Sequence, residues 1–190
     1  MRLFVAVELP PPVIAAAAAA GQLLRERVAG VAPGARLTWV APDRMHVTLR
    51  FLGQVNDEQA AAIAGTLAHP FETPSFTIGL GDIGAFPRRG APRSIWIALA
   101  AGGEACRRLE HELSGRLDRV GIPRDPRPFS PHLTAARVRE PAGLRWPAIA
   151  DVAVPLHPGG PVDAITLFES RLSSRGPTYT ALQRTTLREG

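Results

Sequence analysis

At 190 residues, 45% of them hydrophobic, the chain can bury one substantial core or form two small lobes that share one, and no apolar run reaches the length of a membrane span. The formal charge of +5 rests on arginine alone, because all 22 basic residues are arginine. The lack of lysine excludes ligases that charge a lysine with a nucleotide and the lysine-containing phosphate loop, although a base-composition bias of the genome would produce the same usage.

The first half of the chain predicts strand, helix, two strands and helix. The apolar N-terminal run is interrupted by Glu8 and three prolines, so it predicts a strand instead of a signal peptide, and cytoplasmic residence is the default. Asn56 with Gln59 three residues later resembles a capping box, which predicts a helix start. The predicted elements are a strand at 1–9, a helix at 11–30, strands at 38–40 and 45–52, and a helix at 56–67.

The second half contains a loop at 84–93 whose three arginines and one phenylalanine could contact an oligonucleotide or could form a solvated hairpin. The only cysteine, Cys106, lies in a predicted helix, and no cluster has zinc spacing, so neither disulfide, metal nor cofactor is expected. Further predictions are strands at 76–80 and 94–99, a helix between 103 and 121, a proline-rich linker to 131, and strands at 132–139, 150–154, 164–170 and 179–187. This order predicts an α+β protein with antiparallel sheets, outer helices and a cleft between two sheets.

Two of the predicted strands carry the same polar pair. His46 and Thr48 lie two residues apart in one, and His132 and Thr134 lie two residues apart in the other. Side chains at this spacing project from one face of a strand, so each histidine shares a face with its threonine while apolar neighbours point into the core. A lone histidine is most often a satisfied surface or core residue. Its repetition with a hydroxyl partner, each time after a proline, predicts two matched half-sites that face one another.

Two histidines across a cleft form a general acid and a general base that titrate near neutral pH. Each threonine, about 6 to 7 Å along its strand, would donate a hydrogen bond to a tetrahedral anion between them, which favours in-line phosphoryl transfer. Arg137 could add a charge-assisted clamp on that phosphate. Its odd offset from His132 places it on the other face of a regular strand, so this role requires a bulge, a twist or the end of the strand.

The double motif and its surroundings resemble the two-histidine (2H) phosphoesterase superfamily, specifically the bacterial RNA 2′,3′-cyclic phosphodiesterases once called 2′-5′ RNA ligases. The resemblance covers nearly the whole chain. One departure is Ala135, where the family usually carries a larger apolar residue, and only a packing change is expected there. The matching segments are 2–10, 39–40, 46–53, 86–87, 96, 127–137, 167–170 and 179.

The resemblance implies a bilobal α+β fold, a single domain over residues 1–190 with two antiparallel sheets and outer helices related by a pseudo-twofold axis around a central cleft. It implies metal-independent, cofactor-free opening of a terminal 2′,3′-cyclic phosphate on RNA, or of a 2′,3′-cyclic nucleotide, to a 2′-phosphomonoester. The expected enzyme is a cytoplasmic monomer with no membrane partner.

By the family assignment His46 is the proton donor and His132 the proton acceptor that activates water, whereas the residues alone do not distinguish acid from base. Phe51, five residues after His46, is a candidate base contact, although a core position is commoner for such a residue. The same holds for Trp39 and Tyr179. By the family assignment, the side chains that would bind the phosphate are Thr48, Thr134 and Arg137.

Three alternatives stay open. The same acid and base could run the reaction backwards, with a 5′-hydroxyl of RNA replacing water to form a 2′-5′ bond. The fold could instead act on another substrate, such as a cyclic dinucleotide, a 2′-5′ oligoadenylate or an ADP-ribose cyclic phosphate. A non-catalytic RNA-binding module would use the arginines for phosphates, but it has no need of two titrating groups.

Overall fold

The computed structural model describes residues 1–87, 89–173 and 176–189, and within them it contains three α-helices and ten strands. The helices are α1 (Pro11–Val31), α2 (Asp57–Leu67) and α3 (Gly103–Asp118). The strands are β1 (Arg2–Glu8), β2 (Arg36–Trp39), β3 (His46–Gln54), β4 (Phe71–Pro74), β5 (Phe76–Phe86), β6 (Ser94–Ala101), β7 (His132–Glu140), β8 (Gly160–Val162), β9 (Ala164–Ser173) and β10 (Gly176–Arg188). None of the helices in these residues is long and apolar enough to cross a membrane.

All three predicted helices are present, and local chemistry explains their ends. Helix α1 begins with proline in its first turn, where a missing N–H costs no hydrogen bond. Helix α2 begins with the predicted capping box, in which the Asn56 side chain accepts from the Gln59 backbone and the Gln59 side chain accepts from Asn56. In α3, burial raises the pKa of the Cys106 thiol to about 12, which keeps it protonated and matches its expected role as a helix residue.

The strands form one hydrogen-bonded sheet in the order β4-β10-β9-β1-β3-β7-β6-β5-β8, with β2 paired to β7. Neighbouring strands are antiparallel except β4 and β10, which run parallel. The α+β class and the largely antiparallel pairing are therefore confirmed.

The two predicted sheets meet at the centre of this order. Strands β3 and β7 are paired in register at Val47 and Leu133, which joins the half that contains β1 to the half that contains β6. Each half has the same plan, since a strand leads through a helix to a His-x-Thr strand beside it. The sheets are thus continuous through this narrow contact instead of being separate layers.

The helices bind the two halves together. Helix α1 follows β1 in the chain but packs against β5, β7 and β8, whereas α3 follows β6 but packs against β3, β4 and β6. Val47 and Leu133 belong to the same apolar core as the buried faces of the helices. The helices therefore cover the Val47 face of the central strands and leave the opposite face for the histidines.

Three predictions about strands need correction. The segment predicted as a strand at 150–154 is irregular backbone, in which Val152 and Val154 pack on the core without pairing to another strand. Strands β4 and β8 were not predicted, and β5 extends six residues beyond its predicted end, to Phe86, into the expected loop. Apolar composition indicates burial, but strand pairing depends on neighbours that are distant in sequence.

Candidate active site

The two His-x-Thr motifs lie side by side where β3 pairs with β7. Because Val47 is the antiparallel partner of Leu133, the register sets His46 opposite Thr134 and Thr48 opposite His132. Side chains of directly opposite residues lie on one face, with Cβ atoms about 4.5 to 5.5 Å apart. The structure therefore brings the four predicted side chains together on the sheet face opposite Val47 and Leu133.

Each motif is followed by a β-bulge at the equivalent position. In β3, Thr48 and Arg50 pair with consecutive residues of β1, so Leu49 is left over between them. In β7, Ala135 is left over in the same way against β6. An extra residue reverses the alternation of side chains beyond it. Ala135, the noted departure from the family pattern, is thus the bulge residue of its strand and is fully enclosed.

The bulges bring the fifth residue after each histidine back to the cleft face. This residue is Phe51 in β3 and Arg137 in β7, and both line the same cavity as His46 and Thr48. The sequence requirement that Arg137 needs a bulge is met. The expectation that Phe51 lies in the core is wrong, because the residue is 50% exposed.

Backbone carbonyls orient both imidazole rings. His46 Nδ1 lies 2.8 Å from the Arg44 carbonyl oxygen, and His132 Nδ1 lies 2.7 Å from that of Ser130, in each case two residues earlier. A carbonyl oxygen only accepts, so Nδ1 carries the proton and donates it in both rings. Nε2 is then the exchanging nitrogen, and in His46 it lies 3.0 Å from Thr48 Oγ1.

The surroundings of the two rings differ. His46 packs among the rings of Phe4, Phe168 and Tyr179, with centroids 4.9, 6.4 and 5.3 Å away. This burial lowers the pKa of His46 below its usual value, and the hydrogen bond to the Arg44 carbonyl opposes the effect in part. His132 instead meets Phe86 and Trp96 edge-on, with centroids 5.7 and 5.9 Å away.

A cavity on the His46 side of the paired motifs has a volume of about 400 Å³. His132 lies across the strand pair from it, opposite Thr48. Four arginines and no aspartate or glutamate are among its lining residues in the described part of the chain. Eleven arginines elsewhere form ion pairs with carboxylates, but none of these four does so within the described residues. The lining residues are Arg2, Phe4, Thr38, Trp39, Val40, Arg44, His46, Thr48, Phe51, Thr134, Arg137, Arg139, Ser170, Leu172, Pro177 and Tyr179.

Some residues of the cavity were not singled out in the sequence, and others were expected to lie in the core. Trp39 and Tyr179, for which a core position was the commoner expectation, are half-buried and line its wall. Arg2 and Arg44 reach it from separate strands or turns, and no sequence spacing links them to the motifs. Arg139 had a readable signal, because it follows Arg137 by two residues and shares its face.

The arginine loop contributes less to this cavity than its composition suggested. Arg89 and Arg93 are exposed and are not among the lining residues, and Arg88 lies outside the described residues. No group of three His, Cys, Asp or Glu side chains in the described part of the chain is arranged as metal ligands would be.

Comparison with known proteins identifies the family. The model of the family described as LigT like Phosphoesterase matches residues 14–96. A relative from Thermus thermophilus named RNA 2′,3′-cyclic phosphodiesterase is 36% identical, over 99% of this chain and 91% of its own. The chain belongs to the LigT-like phosphoesterase family. Relatives with the same name from Archaeoglobus fulgidus and Escherichia coli are 33% and 31% identical, over 96% of this chain and 98% and 94% of theirs.

Solved structures agree with this family membership. The crystal structure of TT0787 of Thermus thermophilus superposes with a TM-score of 0.80 at 32% identity, over 100% of this chain and 99% of that one. E. coli LigT complexed with 3′-AMP gives 0.69 at 27% identity, over 98% and 97%. The family resemblance seen in the sequence is therefore confirmed, and this LigT-like phosphoesterase shares the fold of a protein crystallised with a nucleotide.

Proposed function

We propose that this LigT-like phosphoesterase is an RNA 2′,3′-cyclic phosphodiesterase, which hydrolyses a terminal 2′,3′-cyclic phosphate to a 2′-phosphomonoester. The observation that carries the proposal is the pairing of two His-x-Thr motifs beside a cavity whose arginines have no carboxylate partners among the described residues. The name shared by the relatives supports the same activity.

In the proposed reaction the cyclic phosphate lies between the two imidazoles. His132 Nε2 takes a proton from water, the water oxygen attacks phosphorus, and the bond from phosphorus to the 3′ oxygen breaks. His46 Nε2–H gives its proton to that oxygen, which leaves a 3′-hydroxyl and a 2′-phosphate. Burial disfavours the protonated form of His46, and an anionic phosphate beside the ring favours it, so bound substrate would help to keep the acid protonated.

The remaining residues divide between phosphate and base. Thr48 and Thr134 would donate to the non-bridging oxygens, and Arg137 would neutralise the charge that builds on them. Phe51 would stack on the terminal base, with the Arg2 guanidinium 4.8 Å from its ring centroid on one side. The proposal includes RNA as the polymer partner, no metal or other cofactor, and action as a cytoplasmic monomer.

The test is digestion of an RNA that ends in a 2′,3′-cyclic phosphate, with phosphorus NMR of the product. A 2′-phosphate made in the presence of EDTA is expected, whereas a joined strand would identify ligation. His46→Ala and His132→Ala should each reduce turnover at least about 100-fold. His111→Ala, the same substitution at an exposed histidine of α3, is the matched control. Full activity of either cleft variant would refute the acid–base pair.

A further inference from the structure

The cavity holds more arginine than one phosphate needs. Arg137 suffices for the reacting group in the proposed function. Arg2 lies over the Phe51 ring, and Arg44 donates to the Pro177 carbonyl oxygen at 3.2 Å. Arg139 has neither of these tasks, although its side chain lines the cavity.

Arg139 is held in place by a neighbouring strand. Its Nε donates to Thr38 Oγ1 at 3.0 Å, and Thr38 itself is the β2 partner of Arg137. The hydrogen bond occupies Nε and leaves the two Nη groups to bind another acceptor. Arg139 is anchored by a neutral hydroxyl and has no carboxylate partner among the described residues, so no protein carboxylate competes with a ligand for its guanidinium.

The spacing of Arg137 and Arg139 fits a polynucleotide. Both lie on the cleft face beyond the Ala135 bulge, about 6 to 7 Å apart along the strand. Successive phosphates of an extended single strand have a comparable separation. A guanidinium that meets each of two adjacent phosphates would fix the direction in which the strand leaves the reacting end.

We propose that Arg139, held by Thr38, binds the phosphodiester on the 5′ side of the terminal nucleotide, so that the enzyme selects the end of an oligoribonucleotide over a 2′,3′-cyclic mononucleotide. This inference rests on the proposed function, because it names the substrate that the same cleft prefers. The mononucleotide lacks the second phosphate and gains nothing from Arg139.

The decisive quantity is the ratio of kcat/KM for a diadenylate with a 2′,3′-cyclic end to kcat/KM for 2′,3′-cyclic AMP. Arg139→Gln should lower this ratio roughly 10-fold, the low end for a hydrogen bond to a charged group. Thr38→Val should lower it by a smaller factor because the guanidinium loses its anchor. Arg137→Gln should reduce both rates together, and Arg145→Gln, at an exposed arginine that is not among the lining residues, is the matched control.

A diadenylate whose linkage is a neutral methylphosphonate isolates the second phosphate. It should lose about the same factor with the wild-type enzyme and nothing further with Arg139→Gln. An unchanged ratio in Arg139→Gln, or equal sensitivity of both enzymes to the methylphosphonate, would overturn the subsite. If the wild type hydrolyses neither substrate, the proposed function fails instead. Calorimetry then tests the subsite alone, since Arg139→Gln should weaken binding of the 2′-phosphorylated diadenylate but not of 2′-AMP, and equal weakening would overturn it.

Discussion

Substitution of Arg50 measures how much the contacts between β3 and the linker that leads into β7 contribute to the free energy of unfolding. Its side chain is 7% exposed, and one Nη donates to the Pro123 carbonyl oxygen while the other lies 3.9 Å from Glu110 Oε1. Glu110 Oε1 also accepts a 2.5 Å hydrogen bond from Ser114. The guanidinium thus joins strand β3, helix α3 and the linker that precedes His132. Arg50→Met keeps the aliphatic packing and removes both polar contacts.

The expected cost follows from these contacts. Losing a hydrogen bond from a charged donor costs about 2 kcal/mol. Leaving the Glu110 carboxylate without its cation adds about 1 to 2 kcal/mol, below the usual value for a broken buried pair because the separation is long. Arg50 Nε is buried without a partner in the described residues, so its removal returns about 1 kcal/mol. The net loss is about 2 to 3 kcal/mol, which lowers the unfolding midpoint by about 5 to 10 °C at this chain length.

Urea unfolding followed by tryptophan fluorescence measures this loss, provided that the m-value is unchanged. Arg124→Met is the matched control, because Arg124 Nε lies at the similar distance of 3.8 Å from Asp118 but both side chains are at least 50% exposed. It should cost less than about 0.5 kcal/mol. Equal losses from Arg50→Met and Arg124→Met would refute the reasoning that burial decides the contribution of these pairs.

Two further predictions concern the histidines. The NMR titration midpoint of His46 in the free enzyme should lie below about 6.5, because burial disfavours the charged ring, and Tyr179→Ser should move the midpoint upward. If His46 is the acid, kcat/KM falls as pH rises through that midpoint. A midpoint at or above 6.5 would contradict the effect of burial. Gly84→Ala would place a Cβ in steric overlap with Trp96 Cζ2, so we expect about 1 to 3 kcal/mol of destabilisation in urea and a loss of turnover because Trp96 packs on His132. Gly21→Ala, with open space in α1, should show neither loss.

Local signals in the sequence predicted the helices and the motif strands. The capping box of Asn56 and Gln59 determines the start of α2 through contacts within four residues, so no tertiary information is needed. The alternation around His46 and His132 likewise depends only on strand geometry. The repetition of the motif predicted that the two half-sites face one another, and the family resemblance added the pseudo-twofold arrangement of the halves.

The bulges and the cavity wall could not be predicted in this way. Leu49 and Ala135 are ordinary strand residues, and each becomes a bulge only through its pairing with β1 or β6. Tyr179 is apolar enough for a core. It lines the cavity because β10 pairs with β9, in the strand order β10-β9-β1-β3. Composition indicates that such residues are partly buried, but the order of the strands decides which surface they cover.

The two half-sites differ most at the residue that the bulge returns to the cleft. Histidine and threonine are identical in β3 and β7, and both histidines use the same backbone contact. The fifth residue is Phe51 in one half and Arg137 in the other, an aromatic face against a permanent charge. A symmetric substrate would have no use for this difference, whereas a nucleotide has a base at one end and a phosphate at the other. The bulges therefore give a repeated motif two different ends, and in the proposed reaction this difference would determine which histidine lies beside the departing oxygen.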